Sequence, residues 1–161
     1  MRVTIKNKMF SLSGSSRVKN EQGQDVFFVK GKFFSPTRVK RICDMNKNVL
    51  FKVRNKWINF FNKRAYVFQG DTKIATVKHP FFSGHKFVLE GYKDEIAIEG
   101  GFFSLHSTIV RNGVPIGAIN REFFALTDTF MLEADEENMP FLIALVIAID
   151  NIVDNIANSA N

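Results

Sequence analysis

Lys52, Arg54 and Lys56 alternate with Phe51, Val53 and Trp57. Residues two apart in an extended strand share a face, so this spacing sets three cations in one line. Lys63 and Arg64 follow a short way on, and Arg38, Lys40 and Arg41 stand before the turn-forming run Met45-Asn46-Lys47-Asn48. If residues 37–43 and 48–55 form a hairpin, these cations share one wall. Such a wall grips phosphate as a charge field, with Arg adding bidentate hydrogen bonds. The competing reading is a solvated outer face, where exposed Lys and Arg are the ordinary surface residues.

Other chemistry has weaker footing. Ser104, His106 and Asp128 make a triad on paper, but nothing around Ser104 resembles the sharp turn that exposes a nucleophile. His79 and His85 flank Pro80-Phe81-Phe82-Ser83-Gly84 and His106 is remote, which is no usual zinc spacing. Glu133, Asp135, Glu136 and Glu137 lack the spaced ligands and the Gly of a calcium loop, and suit the acidic start of a helix better. Gly100-Gly101 follows a strand-like run without opening a helix, so it is not a phosphate loop. The single Cys43 excludes an internal disulfide and a cysteine-rich metal site. The expectation is a protein that is not an enzyme and carries no cofactor and no metal.

The charge balance supports an anionic partner. Residues 1–64 hold 16 Lys/Arg against 3 Asp/Glu, whereas the last 29 residues hold 6 acids and no Lys or Arg. A basic part of this kind suits a membrane phosphate surface, an acidic protein or a nucleic acid. Nucleic acid ranks last, because base stacking needs aromatics beside the cations and Trp57 is the one good candidate.

The elements that would carry these residues follow from a repeat. A Phe-Phe step recurs at Phe33-Phe34, Phe60-Phe61, Phe81-Phe82, Phe102-Phe103 and Phe123-Phe124, and Met9-Phe10-Ser11 reads as a degenerate copy. Turn signals sit between the steps. Asn112-Gly113 divides Thr108-Ile109-Val110 from Val114-Pro115-Ile116, a type I′ hairpin signature, and Gly70-Asp71 divides Tyr66-Val67-Phe68 from Lys73 to Val77. Glu21 to Gln24, Met45 to Asn48 and Tyr92-Lys93-Asp94 read the same way. Six hairpins make about twelve strands, and a lone hairpin cannot bury its apolar face. Pro115 within a strand marks a bulge or a barrel corner. One Phe of each step faces inward, and the other lies under a loop or at an exposed rim.

The end of the chain departs from this pattern. Phe141 to Ile149 is apolar all round, so a helix there is buried on every side. It is too short to span a bilayer, which takes about 18 apolar residues. About twelve closed strands leave an interior too wide for side chains alone, and such a helix fills it. The expected fold is mainly β: a closed barrel of about twelve antiparallel strands around a hydrophobic helix over 139–157, as one domain over 1–161. Met1-Arg2-Val3-Thr4-Ile5-Lys6 has no apolar signal region, so a cytoplasmic location is expected, peripheral to the inner membrane face where lipid is bound.

Lys8-Met9-Phe10-Ser11-Leu12, Gly31-Lys32-Phe33-Phe34-Ser35, Glu99-Gly100-Gly101-Phe102-Phe103-Ser104, Asp128-Thr129-Phe130 and the run Leu142 to Asp150 resemble bacterial members of the LURP-one-related family. The order and spacing of these segments carry the resemblance across the chain. It implies the tubby C-terminal-like fold, in a superfamily that includes phosphoinositide-binding tubby proteins and phospholipid scramblases. Phe130 stands where the family leads one to expect Tyr. The Cys-rich segment and Pro-rich leader of scramblases have no counterpart here, and no motif matches the tubby ligand residues position by position. The functional expectation is a binding module for anionic phospholipid headgroups through Arg38, Lys40, Arg41, Lys52, Arg54, Lys56, Lys63 and Arg64. The alternative is a protein-interaction scaffold that binds no lipid.

Overall fold

The computed structural model describes residues 1–6, 15–31, 36–56, 63–79, 87–100, 105–124 and 127–157, with the side chains of 122–124, 127–128 and 154–157 excepted. The Phe-Phe steps fall outside the described residues or among the excepted side chains, as do Met9-Phe10-Ser11, Trp57, His85, Ser104 and the Asp128 side chain. Expectations that rest on these residues therefore lie outside the described part.

The strands are β1 (Arg2–Lys6), β2 (Ser15–Asn20), β3 (Asp25–Gly31), β4 (Lys40–Cys43), β5 (Val49–Asn55), β6 (Lys63–Gln69), β7 (Thr72–His79), β8 (Val88–Glu90), β9 (Ile96–Glu99), β10 (His106–Arg111), β11 (Val114–Phe124) and β12 (Thr127–Ala134), followed by helix α1 (Met139–Ala157). They form one antiparallel sheet in the order β8-β7-β6-β5-β4-β3-β2-β1-β12-β11-β10-β9. β1 therefore lies against β12, and Ala134 donates its N–H to the Met1 carbonyl at 3.0 Å. The short strands β8 and β9 are the two edges. They come close, but no ladder joins them among the described residues, so the barrel is nearly closed rather than sealed.

The expected turns sit where their chemistry requires. Asn112 and Gly113 both have positive φ (50° and 79°), as a type I′ turn demands. Beside Pro115 the β10–β11 register shifts: Ile109 pairs Gly117 and Val110 pairs Pro115, so Ile116 is the bulged residue next to the one that cannot donate to a ladder. In the β4–β5 turn the Asp44 carboxylate accepts from both the backbone and side-chain nitrogens of Asn48, each at 2.8 Å.

The inner face of the sheet is built of small and β-branched residues, with Val18, Val29, Val53, Ala65, Val67, Ala75 and Val77 all essentially sealed. Their size leaves room along the axis for a helix about 10 Å across. α1 occupies it, packed most closely against β5 and β6, with Leu142, Ile143, Leu145, Ile147 and Ile149 buried. The helix begins at Met139, so Asp135, Glu136 and Glu137 lie in the preceding turn and not in its first turn. No helix among the described residues is long and apolar enough to cross a membrane, which concerns helices alone.

Candidate functional site

The β4–β5 hairpin exists, and its register decides which cations share a face. Arg41 pairs Lys52, and Arg54 pairs Tyr66 on β6. Buried Val53 points inward between Lys52 and Arg54, so both cations point outward. Lys56, just past the end of β5, is exposed and donates its backbone N–H to the Arg64 carbonyl at 3.0 Å. Arg64 pairs Lys78 on the outer face, with Ala65 and Val77 alternating inward. Arg41, Lys52, Arg54, Lys56 and Arg64 therefore belong to the expected wall.

Three members of the expected set do not. Lys40 pairs Val53 and is 8% exposed, so it points into the barrel. Alternation with exposed Arg41 forces this, because neighbours in a strand take opposite faces. Lys40 is also not without a partner, so it brings no open cation to a ligand. Lys63 shares the inner side with Ala65 and sits opposite His79 at the barrel rim. Arg38 is not on a strand: it holds a left-handed backbone (φ 47°) ahead of β4, and its carbonyl accepts from Asn151 Nδ2 at 3.3 Å.

Two cations that sequence reasoning missed complete the wall. Lys30 on β3 pairs Arg41, and Phe68 on β6 pairs both Lys52 and Lys73 of β7. Lys30, Arg41, Lys52 and Lys73 thus form a transverse row from β3 to β7. At ~4.8 Å between strands the row runs about 19 Å around the barrel. Lys30 was legible, since it alternates with the apolar Val29. Lys73 was not, because a bulge between Val67 and Phe68 reverses its face relative to Ala75.

Aromatic rings hold these cations apart without cancelling them. Lys52 Nζ lies 4.9 Å from the Phe68 ring centre, and the Arg54 guanidinium lies 5.1 Å from Phe68 and 6.0 Å from Tyr66. Lys73 Nζ lies 5.4 Å from Tyr66. Each such contact contributes about 0.5–1 kcal/mol at an exposed site. That offsets part of the repulsion between neighbouring cations while leaving the outward charge intact. The opposing acid is weak: Asp71, fully exposed, stands 3.8 Å from Lys52 Nζ. At the edge Lys78 is spoken for by Glu90.

The two histidines among the described residues both have partners within the fold. His106 Nδ1 lies 2.5 Å from Asn120 Oδ1, and His79 packs on the Phe87 ring at 5.1 Å. Among the described residues no three of His, Cys, Asp and Glu come together as a metal site would require. Cys43 is buried, and that burial pushes its thiol above the usual range, away from the reactive thiolate.

A nearly closed twelve-stranded antiparallel barrel threaded by its own C-terminal helix is the tubby-like class of fold. Within it the chain belongs to the LURP-one-related family, whose model matches residues 1–150. A protein of Arabidopsis thaliana solved by X-ray crystallography has a similar structure, with a TM-score of 0.59 at 13% sequence identity over 94% of this chain and 91% of that one. At that identity the likeness concerns the fold alone. Among curated proteins nothing matches the sequence.

Proposed function

We propose that the chain is a non-enzymatic binding module that docks its β3–β7 wall against anionic phospholipid headgroups from the cytoplasmic side. The observation that supports it is the transverse row Lys30–Arg41–Lys52–Lys73, with Arg54 stacked beside it on Tyr66 and Phe68. A row about 19 Å long on an outer, convex wall suits an extended charged surface better than one enclosed phosphate. A nucleic acid is disfavoured because Phe68 is 9% exposed beneath its cations and so offers no face to a base. The attraction amounts to about 1 kcal/mol per cation near an anionic membrane.

The test is co-sedimentation with neutral vesicles and with anionic vesicles, including phosphoinositide, at low and high salt. Binding to anionic vesicles alone, weakened by salt, is expected. Arg41→Glu or Lys52→Glu, each a change of two charge units at about 1 kcal/mol per unit, should lower the partition constant by roughly thirtyfold. Absence of binding to every vesicle would overturn this reading and bring forward a protein-interaction scaffold.

A further inference from the structure

A second feature lies at the barrel end where α1 enters. There the β6–β7 and β8–β9 turns, the end of β10 and the start of α1 surround a pocket of about 480 Å³. The size is that of a small-molecule site, typically about 300–1,000 Å³. Its apolar part is aromatic: Tyr92 stacks on Phe141 with ring centres 4.5 Å apart, and Phe51 meets Phe141 edge-on at 6.1 Å. Its polar part holds Gln69, Thr72 and Asn138 with three cations, Lys73, Lys93 and Arg111, against one carboxylate among the described residues, Glu137. Arg111 Nε is shielded from solvent without a hydrogen bond, and its nearest acid oxygen, Asp94 Oδ2, is 3.6 Å away. That ion pair holds Arg111 in place at the rim, and its charge adds to the field of Lys93 and Lys73 beside the partly exposed Tyr92 ring.

We infer that this mouth binds a small organic anion with a flat apolar body, an aryl carboxylate or aryl phosphate. The ring lies against Tyr92 and Phe51, and the acid group faces Lys93 and Arg111. A metal cation is disfavoured, because Lys73 and Lys93 face the one lining carboxylate of Glu137 while Arg111 is paired with Asp94. An acyl chain is excluded because Phe141, 4% exposed, floors the pocket and α1 fills the barrel beneath. The site is separate from the headgroup wall, to which it is joined only through Lys73.

The test is isothermal titration of the whole chain with 2-naphthoate, 2-naphthyl phosphate and the neutral 2-naphthylmethanol. Both anions should saturate one site and bind at least about fivefold tighter than the alcohol. Whichever anion binds more tightly assigns the acid group. Lys93 is exposed, so Lys93→Glu reads the site without disturbing the core, and it should weaken the anions by about fivefold or more. The same variant should leave vesicle binding unchanged, while Arg41→Glu should lower vesicle binding and leave 2-naphthoate affinity unchanged. Equal affinity for the alcohol, indifference to Lys93→Glu, or no saturation at millimolar ligand would each overturn the assignment.

Discussion

Asn55 is the residue whose chemistry fits its surroundings least well. It is 2% exposed on the inner face of β5, two positions from Val53, in a barrel lined mainly by aliphatic side chains. Its Nδ2 donates to the Asn151 carbonyl of α1 at 3.2 Å, and its backbone N–H bonds the Thr37 carbonyl at 2.7 Å. Its Oδ1 accepts nothing among the protein groups described. Asn55→Ala removes a strand-to-helix hydrogen bond and a buried unsatisfied oxygen together, so the two effects partly offset. The expected cost is about 1 kcal/mol, read as a lowered urea midpoint with unchanged slope. A stabilised variant would mean that the orphan oxygen outweighs the bond. The polar end of the helix also shows what alternation can disclose. Lys40 stands two residues before Ile42, a spacing that already assigns it to the inner face. Counting it with Arg41 in one outer wall followed its charge instead of its position.

Among the elements, β11 and the β1–β12 junction are the places where tolerance is smallest. A Cβ built on Gly117 would stand 2.5 Å from Leu142 Cδ1, 2.9 Å from the Glu133 carbonyl oxygen and 3.2 Å from Ala134 Cβ. The Leu142 side chain can shift, but the Glu133 backbone is fixed by the ladder with Ala118. Gly117→Ala should therefore destabilise by about 1–3 kcal/mol, the usual cost of overpacking, visible as a lower thermal midpoint. Nearby, Arg2 joins β1 to β12 by two hydrogen bonds to Glu133 Oε2, at 2.8 and 3.2 Å, and reaches Glu21 at 2.9 Å. These bonds hold the Glu133 carboxyl below its ordinary value, and the hydrogen bond from Arg17 with the ion pair to Lys19 does the same for Asp25 between β2 and β3. A carboxyl whose folded pKa is lowered stabilises fully above its unfolded pKa. That contribution is lost as the pH falls through the folded value. Stability should thus hold at neutral pH and decline as the pH falls below the usual carboxylate range. Glu133→Gln should flatten that decline in urea titrations taken across the same range, and an unchanged acid slope would refute the clasp.

For the molecule as a whole, the architecture was legible because two long-range signals agree. Evenly spaced turn residues specify hairpins, and one helix with no polar face specifies the space those hairpins must enclose. The near-closure at β8 and β9 was not legible, since their short runs, Val88–Glu90 and Ile96–Glu99, look no different from strands that do pair. The face of Lys73 was hidden for a related reason: a bulge shifts register without altering composition. The barrel and its helix also depend on each other energetically. Leu142, Ile143, Leu145, Ile147 and Ile149 are all buried by the inner wall. At roughly 2 kcal/mol each they contribute about 10 kcal/mol, an upper figure because unfolded chains already bury some surface. That is comparable to the entire net stability of an ordinary domain, about 5–15 kcal/mol. The strands meanwhile present mostly Val, Ala and Ile to the axis and cannot fill it by themselves. Deleting residues 141–157 should therefore leave a chain with no cooperative unfolding transition by circular dichroism, prone to associate through its uncovered inner face. Leu145→Ala, which removes one such contact, should keep the fold and cost about 2–5 kcal/mol. A truncated chain that still unfolds cooperatively would show that the strands close on a core of their own, and that α1 is an occupant of the barrel and not its foundation.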